Sequence, residues 1–307
     1  MFVGNTYKPQ QKKEEIMLKG INPQDVKPSK VKFLMSGPPG SGKSWLSLEF
    51  PKPYIIDTEG GIVRRQYQDK LKKVGGSYFG QEQGSEDFQA VINEVKTLAT
   101  TKHPYLTLVI DSFSHLYLLE AAAAEEKIGS DFGKDRKFAN KATRQLLRWI
   151  NKCDLNVILT AHVKAKWARK GDQIFQDGNT FEGNPKMEHD LDLFIEILPG
   201  YKNFIIKKSR VESLPQGETM PLSYKNFAEI YGEEILSAES KPIEMATESH
   251  INKIKSLIEA LNISEEQIAK WFKKCDTESF EEMTNKQITG LIDFLDKKIQ
   301  LIQKDKK

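Results

Sequence analysis

Short apolar runs alternate with helical patterns from residue 31 to about residue 210 of this 307-residue chain. The runs predict strands at 31–36, 54–57, 106–110, 156–161, 192–198 and 203–208, and apolar residues at helical spacing predict helices at 43–50, 62–73, 85–99, 113–127 and 136–152. Such alternation is typical of an α/β fold, with a mostly parallel sheet covered by helices on both faces. The ligand of such a sheet binds at the carboxyl ends of its strands.

The two ends of the chain break this pattern. Residues 1–30 are polar and aperiodic, and we expect either an arm that packs on a neighbouring subunit or a disordered segment. The α/β core is expected over 31–231, and residues 232–246 lose the pattern as a linker does. Residues 247–302 are expected to form a small all-α module with its own apolar core.

Two capping boxes support the helices of this module. Ser264 is followed three residues later by Gln267, and Thr284 is followed by Gln287. In a capping box the first side chain accepts from a backbone N–H of the new helix, and the second reaches back to the first residue. Helices are therefore expected to begin just after residues 264 and 284.

The strongest motif is Gly-Pro-Pro-Gly-Ser-Gly-Lys-Ser, which stands between a predicted strand and a predicted helix. Such a loop points backbone N–H groups at phosphates, and the helix N-terminus adds a positive potential. Lys43 is expected to reach the β- and γ-phosphates, and Ser44 to hold Mg²⁺. A glycine-rich turn with a capping serine would leave the lysine unexplained. The motif predicts a nucleoside triphosphate site formed by Gly37, Pro38, Pro39, Gly40, Ser41, Gly42, Lys43, Ser44 and Trp45.

Carboxylates follow two of the predicted strands. Asp111 ends the apolar run 106–110 and is expected to hold Mg²⁺ together with Ser44. The next residue is Ser112 rather than glutamate, which argues against the AAA+ class, where a catalytic glutamate usually follows the aspartate. Glu59, just past the second strand, is the expected residue for orienting the attacking water, and a solvated loop residue is the alternative.

ATP is the expected nucleotide. The segment Asn151-Lys152-Cys153-Asp154 spells the guanine-reading motif of GTPases, but it ends a predicted helix and so lies at the wrong edge of the sheet. Arg65 and Tyr67 are candidate stacking partners for the adenine ring.

The order of four motifs resembles that of the RecA-like recombinase core. These motifs are the phosphate loop, Ile-Asp-Thr-Glu-Gly over 56–60, Val-Ile-Asp-Ser over 109–112 and the strand leading to His162. The resemblance covers about residues 31–210 and extends to the short RecA-core phage proteins that support single-strand annealing. Many families share the phosphate loop, whereas the Asp-Thr-Glu-Gly element and the downstream order are more specific. The resemblance implies an oligomeric ATPase that binds single-stranded DNA.

The same resemblance assigns further roles. It implies a first DNA-binding loop at 126–133 and a second, mobile one at 163–182. Lys208 and Arg210 match a pair that, in the family, reaches the γ-phosphate bound by a neighbouring subunit, where an added cation strongly raises the rate of phosphoryl transfer. The other interpretation is that they belong to a basic edge strand, kept soluble by its charge. His162 stands at the family's γ-phosphate sensor, and the alternative is that it caps its strand.

Cations surround an aromatic residue in the second loop. Single strands are held by basic grooves and aromatic platforms, at roughly 1–3 kcal/mol per stacked base. A solvated hairpin with a tucked tryptophan is the competing interpretation. The expected DNA-binding residues are Lys164, Lys166, Trp167, Arg169, Lys170 and Lys186.

Composition adds three expectations. The net charge of +3 is too small to predict nucleic-acid binding by itself. We see no apolar run of about 18 residues and no signal peptide, so no membrane role is expected. The 2 cysteines fall on apolar stripes of predicted helices, which favours a reducing cytoplasm, the host's if the chain is phage-encoded.

The function expected from these patterns is an ATP-dependent, single-stranded-DNA-binding ATPase in phage DNA recombination or single-strand annealing. Hydrolysis is expected to be stimulated by DNA, the chain to form a homo-oligomer, and the C-terminal helices to contact a single-strand-binding or other recombination protein. Two alternatives stay open: a RecA-fold replication motor or loader, and a nucleotide-switch scaffold that recruits a protein partner. A small-molecule kinase is disfavoured, since no arginine-rich lid is evident.

Overall fold

The computed structural model describes residues 22, 24, 27–129, 134–171 and 173–305. The strands are β1 Lys32–Ser36, β2 Pro53–Asp57, β3 Ser77–Phe79, β4 Thr107–Asp111, β5 Asn156–Ala161, β6 Val163–Lys170, β7 Gln173–Phe181, β8 Leu193–Ile197, β9 Asn203–Ser209 and β10 Thr219–Pro221. The helices are α1 Lys43–Ser47, α2 Arg65–Lys73, α3 Phe88–Thr100, α4 Phe113–Ile128, α5 Lys134–Lys152, α6 Met187–Asp190, α7 Tyr224–Tyr231, α8 Glu233–Leu236, α9 Glu248–Ala260, α10 Glu265–Cys275 and α11 Asn285–Asp305.

The main sheet has eight strands in the order β10-β9-β8-β1-β5-β4-β2-β3. The six strands from β8 to β3 are parallel, whereas β9 and β10 extend the sheet antiparallel at one edge. The expected mostly parallel α/β fold of a P-loop NTPase, followed by a C-terminal helical segment, is confirmed.

Each central strand contributes to two apolar cores, one on each face of the sheet. In β1, Leu34 packs with residues of α3, α4 and α5, while Phe33 and Met35 pack with α1 and α7 on the other face. Successive side chains of a strand point to opposite faces, so a strand covered on both sides has a continuous apolar run. This is why the short runs of the sequence predict the core strands well.

The segment expected to be the second DNA-binding loop forms a two-stranded antiparallel hairpin, made of β6 and β7. Gly171, with φ 60°, directly follows the last residue of β6. A Gly-Asp pair between two extended runs is a hairpin signal, and here it was hidden by polar residues on both strands. Residues 130–133 of the expected first DNA loop, and most of the expected N-terminal arm, lie outside the described residues.

Helices α9, α10 and α11 enclose a third apolar core that includes Ile254, Trp271 and Ile288. Both predicted capping positions are occupied: Ser264 Oγ accepts from Gln267 N at 3.3 Å, and Thr284 N donates to Gln287 Oε1 at 2.9 Å. The helical stripes and caps of the sequence therefore place these helices correctly.

The connection between core and module is packed rather than loose. Residues 233–236 form α8, whose Leu236 is buried in the core, and Ile243 N donates to Ala99 O at 2.8 Å. Arg148 of α5 forms ion pairs with three carboxylates of the module, those of Asp276, Glu278 and Glu282, at 3.3–3.6 Å. These bonds hold the helical module against α5. Among the described residues, no helix combines the length and apolarity that a membrane crossing requires.

Replacing Phe50 with alanine is expected to lower the free energy of unfolding by about 3–5 kcal/mol, the usual cost of removing a buried phenylalanine. Phe50 is 1% exposed and its ring lies 4.9–5.8 Å from those of Phe33, Tyr224 and Phe227. Urea unfolding followed by circular dichroism measures the change. Phe138→Ala is the control, because Phe138 is 48% exposed and its loss should cost less than about 1 kcal/mol. Equal effects of the two substitutions would contradict this account of the core.

Candidate nucleotide-binding site

The phosphate loop connects β1 to α1 at the carboxyl edge of the sheet. Gly40 and Gly42 have φ of 74° and 93°, a left-handed conformation that side-chain-bearing residues rarely adopt. Gly42 is also the residue that precedes α1, and its carbonyl accepts the bond from Leu46 N at 2.9 Å. The glycines of the motif therefore allow the chain to turn sharply into the helix.

Lys43 lies inside this loop. Its Nζ donates to Gly37 O at 2.8 Å and to Pro38 O at 3.0 Å, and the residue is 8% exposed. Burial lowers the pKa of Lys43, and the carboxylates of Asp111 and Glu59 oppose this shift. The motif thus delivers a buried cation to the point where the loop closes on itself.

Asp111 ends β4 beside the loop, and its carboxylate receives hydrogen bonds from the hydroxyls of Ser44 and Thr160. The bond from Thr160 Oγ1 to Asp111 Oδ1 is 2.5 Å long. Burial raises the pKa of Asp111, while both hydroxyl bonds lower it. A carboxylate and a hydroxyl are hard oxygen donors, so Ser44 and Asp111 fit the Mg²⁺ ion that the motif implies.

Glu59 lies past the end of β2 and is bonded to two neighbouring segments. Its Oε1 is 3.0 Å from His162 Nε2 and accepts a hydrogen bond from Ser112 Oγ. These bonds, that from His162 first, lower the pKa of Glu59 to about 2 even though partial burial opposes the shift. Glu59 is therefore ionised at neutral pH and is held between the residues that follow β4 and β5.

Asp57, the last residue of β2, shapes the turn that carries Glu59. Its carboxylate accepts from Gly61 N at 3.0 Å and from Ile62 N at 2.8 Å. Thr58 adds a reciprocal pair of bonds, because its Oγ1 donates to Ser112 O and accepts from Ser112 N, both at 3.0 Å. The turns after β2 and β4 are therefore linked by residues 54 positions apart in the chain, which no local motif predicts.

These residues surround a cavity of about 400 Å³. The size falls in the usual range for ligand pockets, about 300–1,000 Å³. Of the residues that the sequence predicts, the lining includes Pro39, Gly40, Lys43, Ser44, Glu59, Tyr67, Asp111 and His162; Asp57, Gly61, Ile62, Arg64 and Ser112 complete it. Phosphate, metal and water-orienting groups predicted from separate motifs thus meet at one cavity.

The two candidate adenine contacts separate. Tyr67 lines the cavity, whereas the side chain of Arg65 is 94% exposed and its Nε is 3.6 Å from Asp69 Oδ2. Arg64, the residue just before α2, takes the position by the cavity that was expected for Arg65. Trp45 is absent from the described lining; it is 44% exposed and contacts the Tyr67 ring, with centroids 6.0 Å apart.

The hairpin of β6 and β7 begins directly after His162. Glu182 N, just past the hairpin, donates to His162 O at 2.9 Å and closes its base. Large apolar side chains are exposed along it: Trp167 is 64% exposed, Ile174 69% and Phe175 45%. Trp167 is therefore not tucked away, and the hairpin offers aromatic surface to solvent.

Most of the cations predicted for DNA binding lie on this hairpin. Lys164 pairs with Glu182 at 3.1 Å and Lys166 with Asp177 at 3.5 Å, while Arg169 Nε donates to Gly171 O at 2.9 Å. Lys170 is the exposed last residue of β6. Lys186 lies outside the hairpin, at the start of α6.

Lys208 and Arg210 are far from the cavity of their own chain. Strand β9 runs antiparallel to β8, so its end lies toward the amino ends of the parallel strands, and Arg210 N donates to Asp192 O at 2.9 Å. Both side chains bond to backbone carbonyls of the segment before β8, Lys208 to Leu191 and Arg210 to His189. Any contact of these cations with a nucleotide therefore requires a second copy of the chain.

Comparison with protein families gives a match to the model described as AAA domain over residues 29–198, more than half of the chain. The chain belongs to the AAA domain family. The matched range of this AAA domain contains the phosphate loop, Glu59, Asp111, His162 and the hairpin. Ser112 in place of a glutamate thus does not exclude an AAA description; in this chain the serine donates a hydrogen bond to Glu59 instead.

No curated protein matches the sequence of this AAA domain chain. Among solved structures, it is similar to the genome packaging NTPase B204 from Sulfolobus turreted icosahedral virus 2, with 14% identity, coverage of 63% of this chain and 98% of the other, and a TM-score of 0.30. It is also similar to an ATPase from the type III secretion system of pathogenic bacteria, with 12% identity, coverage of 88% of this chain and 81% of the other, and a TM-score of 0.38. For the ATPase EscN from enteropathogenic E. coli the identity is 11%, the coverage is 87% of this chain and 67% of the other, and the TM-score is 0.37. Similarities this low carry no argument about activity.

Replacing Glu59 with glutamine is expected to destabilise the protein at pH 7, and the difference from the wild type should shrink as the pH falls below 4.5. The pKa of Glu59 is lowered from 4.5 to about 2 in the folded protein. As the pH falls, the Glu59 carboxylate is therefore protonated in the unfolded chain before it is protonated in the folded protein. The stabilisation is complete above the unfolded-state value and is lost as the pH approaches 2. Solvent screening limits it to less than about 1 kcal/mol, since both side chains of the Glu59–His162 pair are more than a third exposed.

Urea unfolding at pH 7, 5, 4 and 3 measures this difference. The matched control is the same substitution in a His162→Gln background, where the largest cause of the low pKa is already removed. There Glu59→Gln should change stability much less across the pH range. An undiminished pH dependence in that background would show that His162 is not the partner that matters.

Proposed function

We propose that this chain is an ATP-hydrolysing enzyme of RecA-like type that works as a homo-oligomer and binds single-stranded DNA through the hairpin Val163–Phe181. We further propose that it acts in phage DNA recombination or single-strand annealing. The phage and recombination parts rest on the sequence resemblance, whereas the nucleotide and hairpin parts also rest on the geometry described above.

The nucleotide part of the proposal is supported by the convergence of groups at the cavity. The phosphate loop and Lys43 would bind the phosphates, and Ser44 and Asp111 would hold Mg²⁺. When bound, Mg²⁺ supplies positive charge against the phosphate oxygens. Glu59, ionised and beside the loop, would orient the attacking water by accepting its hydrogen bond.

The observation that carries the DNA part is the position of His162. Its imidazole bonds to Glu59 at one side of the cavity, and its backbone leads directly into the hairpin and bonds to Glu182 at the hairpin base. A shift of the hairpin on DNA would therefore move a partner of the carboxylate that orients water. This arrangement supports hydrolysis that depends on DNA, with His162 between the two sites.

We expect single-stranded DNA to stimulate ATP hydrolysis, and Trp167→Ala to weaken DNA binding by about 1–3 kcal/mol, or about 5- to 160-fold in dissociation constant, because one exposed stacking platform is lost. Steady-state hydrolysis without DNA, with single strands and with duplex, at two salt concentrations, together with fluorescence anisotropy of a labelled oligonucleotide, measures both effects. High salt should reduce the stimulation.

Two variants serve as controls. Lys43→Ala should abolish hydrolysis with or without DNA, while Tyr78→Ala, which removes a 38% exposed aromatic ring from edge strand β3, should leave DNA affinity unchanged. Hydrolysis that ignores DNA would favour the switch-scaffold alternative, and ATP-driven separation of a forked duplex would favour the replication motor. Full activity of Lys43→Ala would contradict the site itself.

The role proposed for Lys208 and Arg210 acts between copies, so two inactive variants should complement each other. The Lys43→Ala variant keeps Lys208 and Arg210 but has an inactive nucleotide site. The Lys208→Ala/Arg210→Ala variant keeps an intact nucleotide site but lacks the two cations. If each site needs the neighbour's cations, about a quarter of the interfaces in an equal mixture join an intact nucleotide site of one variant to the intact Lys208 and Arg210 of the other. Hydrolysis should return at these interfaces. Lys202→Ala, which removes an exposed cation just before β9, is the control and should be active alone. A mixture no more active than its components would exclude this role.

A further inference from the structure

The helical module carries a surface groove that the nucleotide and DNA sites do not use. The groove lies between α10 and α11, has a volume of about 360 Å³ and is lined by Trp271, Lys274, Cys275, Gln287, Gly290, Leu291 and Phe294. Helix α11 buries Ile288, Ile292 and Leu295 in the module core, so the groove lies on another side of that helix. Phe294 at its wall is 58% exposed.

Gly290 provides the space for this groove. A Cβ atom built at Gly290 meets no atom within 4 Å, so a gap stands open in the middle of a regular helix. Glycine inside a helix is unfavourable relative to almost any other residue. The module therefore tolerates a poor helix former at the position where any side chain would enter the groove.

The apolar surface continues beyond the groove along α11. Leu301, 61% exposed, stands seven residues after Phe294, which is two helical turns and so the same side of the helix. Lys297 and Lys298 lie between them and are exposed. The carboxylate of Asp296 forms an ion pair with Lys253 of α9, and the distance from Asp296 Oδ2 to Lys253 Nζ is 2.7 Å.

Asp293 of α11 is an exposed carboxylate next to Phe294, but the one charged side chain in the described lining of the groove is that of Lys274. Lys274 is exposed at its rim and makes no hydrogen bond or ion pair within the described part of the chain, and none of the described residues that line the groove is a carboxylate. A second copy docked through the same surface would bring its own lysines against these. An occupant with carboxylates beside apolar side chains would neutralise the lysines and fill the gap at Gly290.

We propose that the groove between α10 and α11 binds a short acidic segment of a partner protein, with an aromatic or aliphatic side chain of that segment inserted over Gly290. Recognition then has two parts: the apolar side chain contacts Trp271, Leu291 and Phe294, and the acidic residues approach Lys274 and the lysines of α11. This surface is separate from the nucleotide cavity, so binding there does not depend on the function proposed above.

The test selects a phage-displayed library of random twelve-residue peptides on the full-length protein, without prior depletion, and then compares the enriched peptides on the wild type and on a Gly290→Leu variant. A leucine at this position fills the groove and favours the helix, so the variant should melt at or above the wild-type temperature. The enriched peptides should be acidic and carry at least one aromatic or leucine residue. Fluorescence anisotropy of the most enriched peptide should show no detectable binding to Gly290→Leu.

Two further variants separate the parts of the recognition. Phe294→Ser should lower the affinity for the peptide strongly. Lys274→Glu should raise the dissociation constant of the peptide about three- to tenfold, as expected for a charge at the rim of the groove. Enriched peptides that are basic, or that bind Gly290→Leu as well as the wild type, would overturn the proposal. Self-association of the wild type in sedimentation velocity that Gly290→Leu abolishes would also overturn it, since a second copy would then occupy the groove.

Discussion

Parallel pairing of β1, β5, β4 and β2 is the constraint on which the site depends. Each of these strands ends at the same edge of the sheet, and each is followed at once by groups that line the cavity. The phosphate loop follows β1, Glu59 follows β2, Ser112 follows β4 and His162 follows β5. Residues more than a hundred positions apart in the chain thus contact one another because their strands share a direction and a register.

The charges at this edge are arranged so that none is buried alone. Burial disfavours the charged forms of Lys43 and Asp111, and each is offset by close partners: loop carbonyls and carboxylates for the lysine, two hydroxyls for the aspartate. Glu59 is less buried and more strongly bonded, so its ionised form is favoured. The site therefore holds the cation of Lys43 close to the carboxylates of Asp57, Glu59 and Asp111, the mixture that binding a charged phosphate group with a metal requires.

The sequence predicted most of what depends on buried apolar runs and on local motifs. The core strands, the phosphate loop and the caps at Ser264 and Thr284 are encoded within a few residues, so they could be predicted from short segments. The hairpin was missed because both of its strands are exposed and polar, which removes the alternation that marks a half-buried strand.

Side-chain direction and strand direction were harder to predict. The expected helix start at 62 differs from the observed start of α2 at Arg65, and Arg64, the residue before this helix, lines the cavity rather than Arg65. The position of Lys208 and Arg210 depends on β9 running antiparallel to β8, which nothing in the sequence of β9 itself determines. The groove at Gly290 depends on how two helices pack, and a lone glycine in a helical pattern does not predict it.

The central place of β1 in the sheet has a consequence for biosynthesis. β1 is the first of the described strands to leave the ribosome, but its two partners, β5 and β8, are made about 120 and 160 residues later. At translation rates of about 5–20 residues per second, its apolar run waits roughly 10–30 s for the second partner. During this time an unpaired strand edge is exposed to other chains. The sheet can close around β1 only once residue 197 is available, so until then this apolar strand stays open to pairing with other chains.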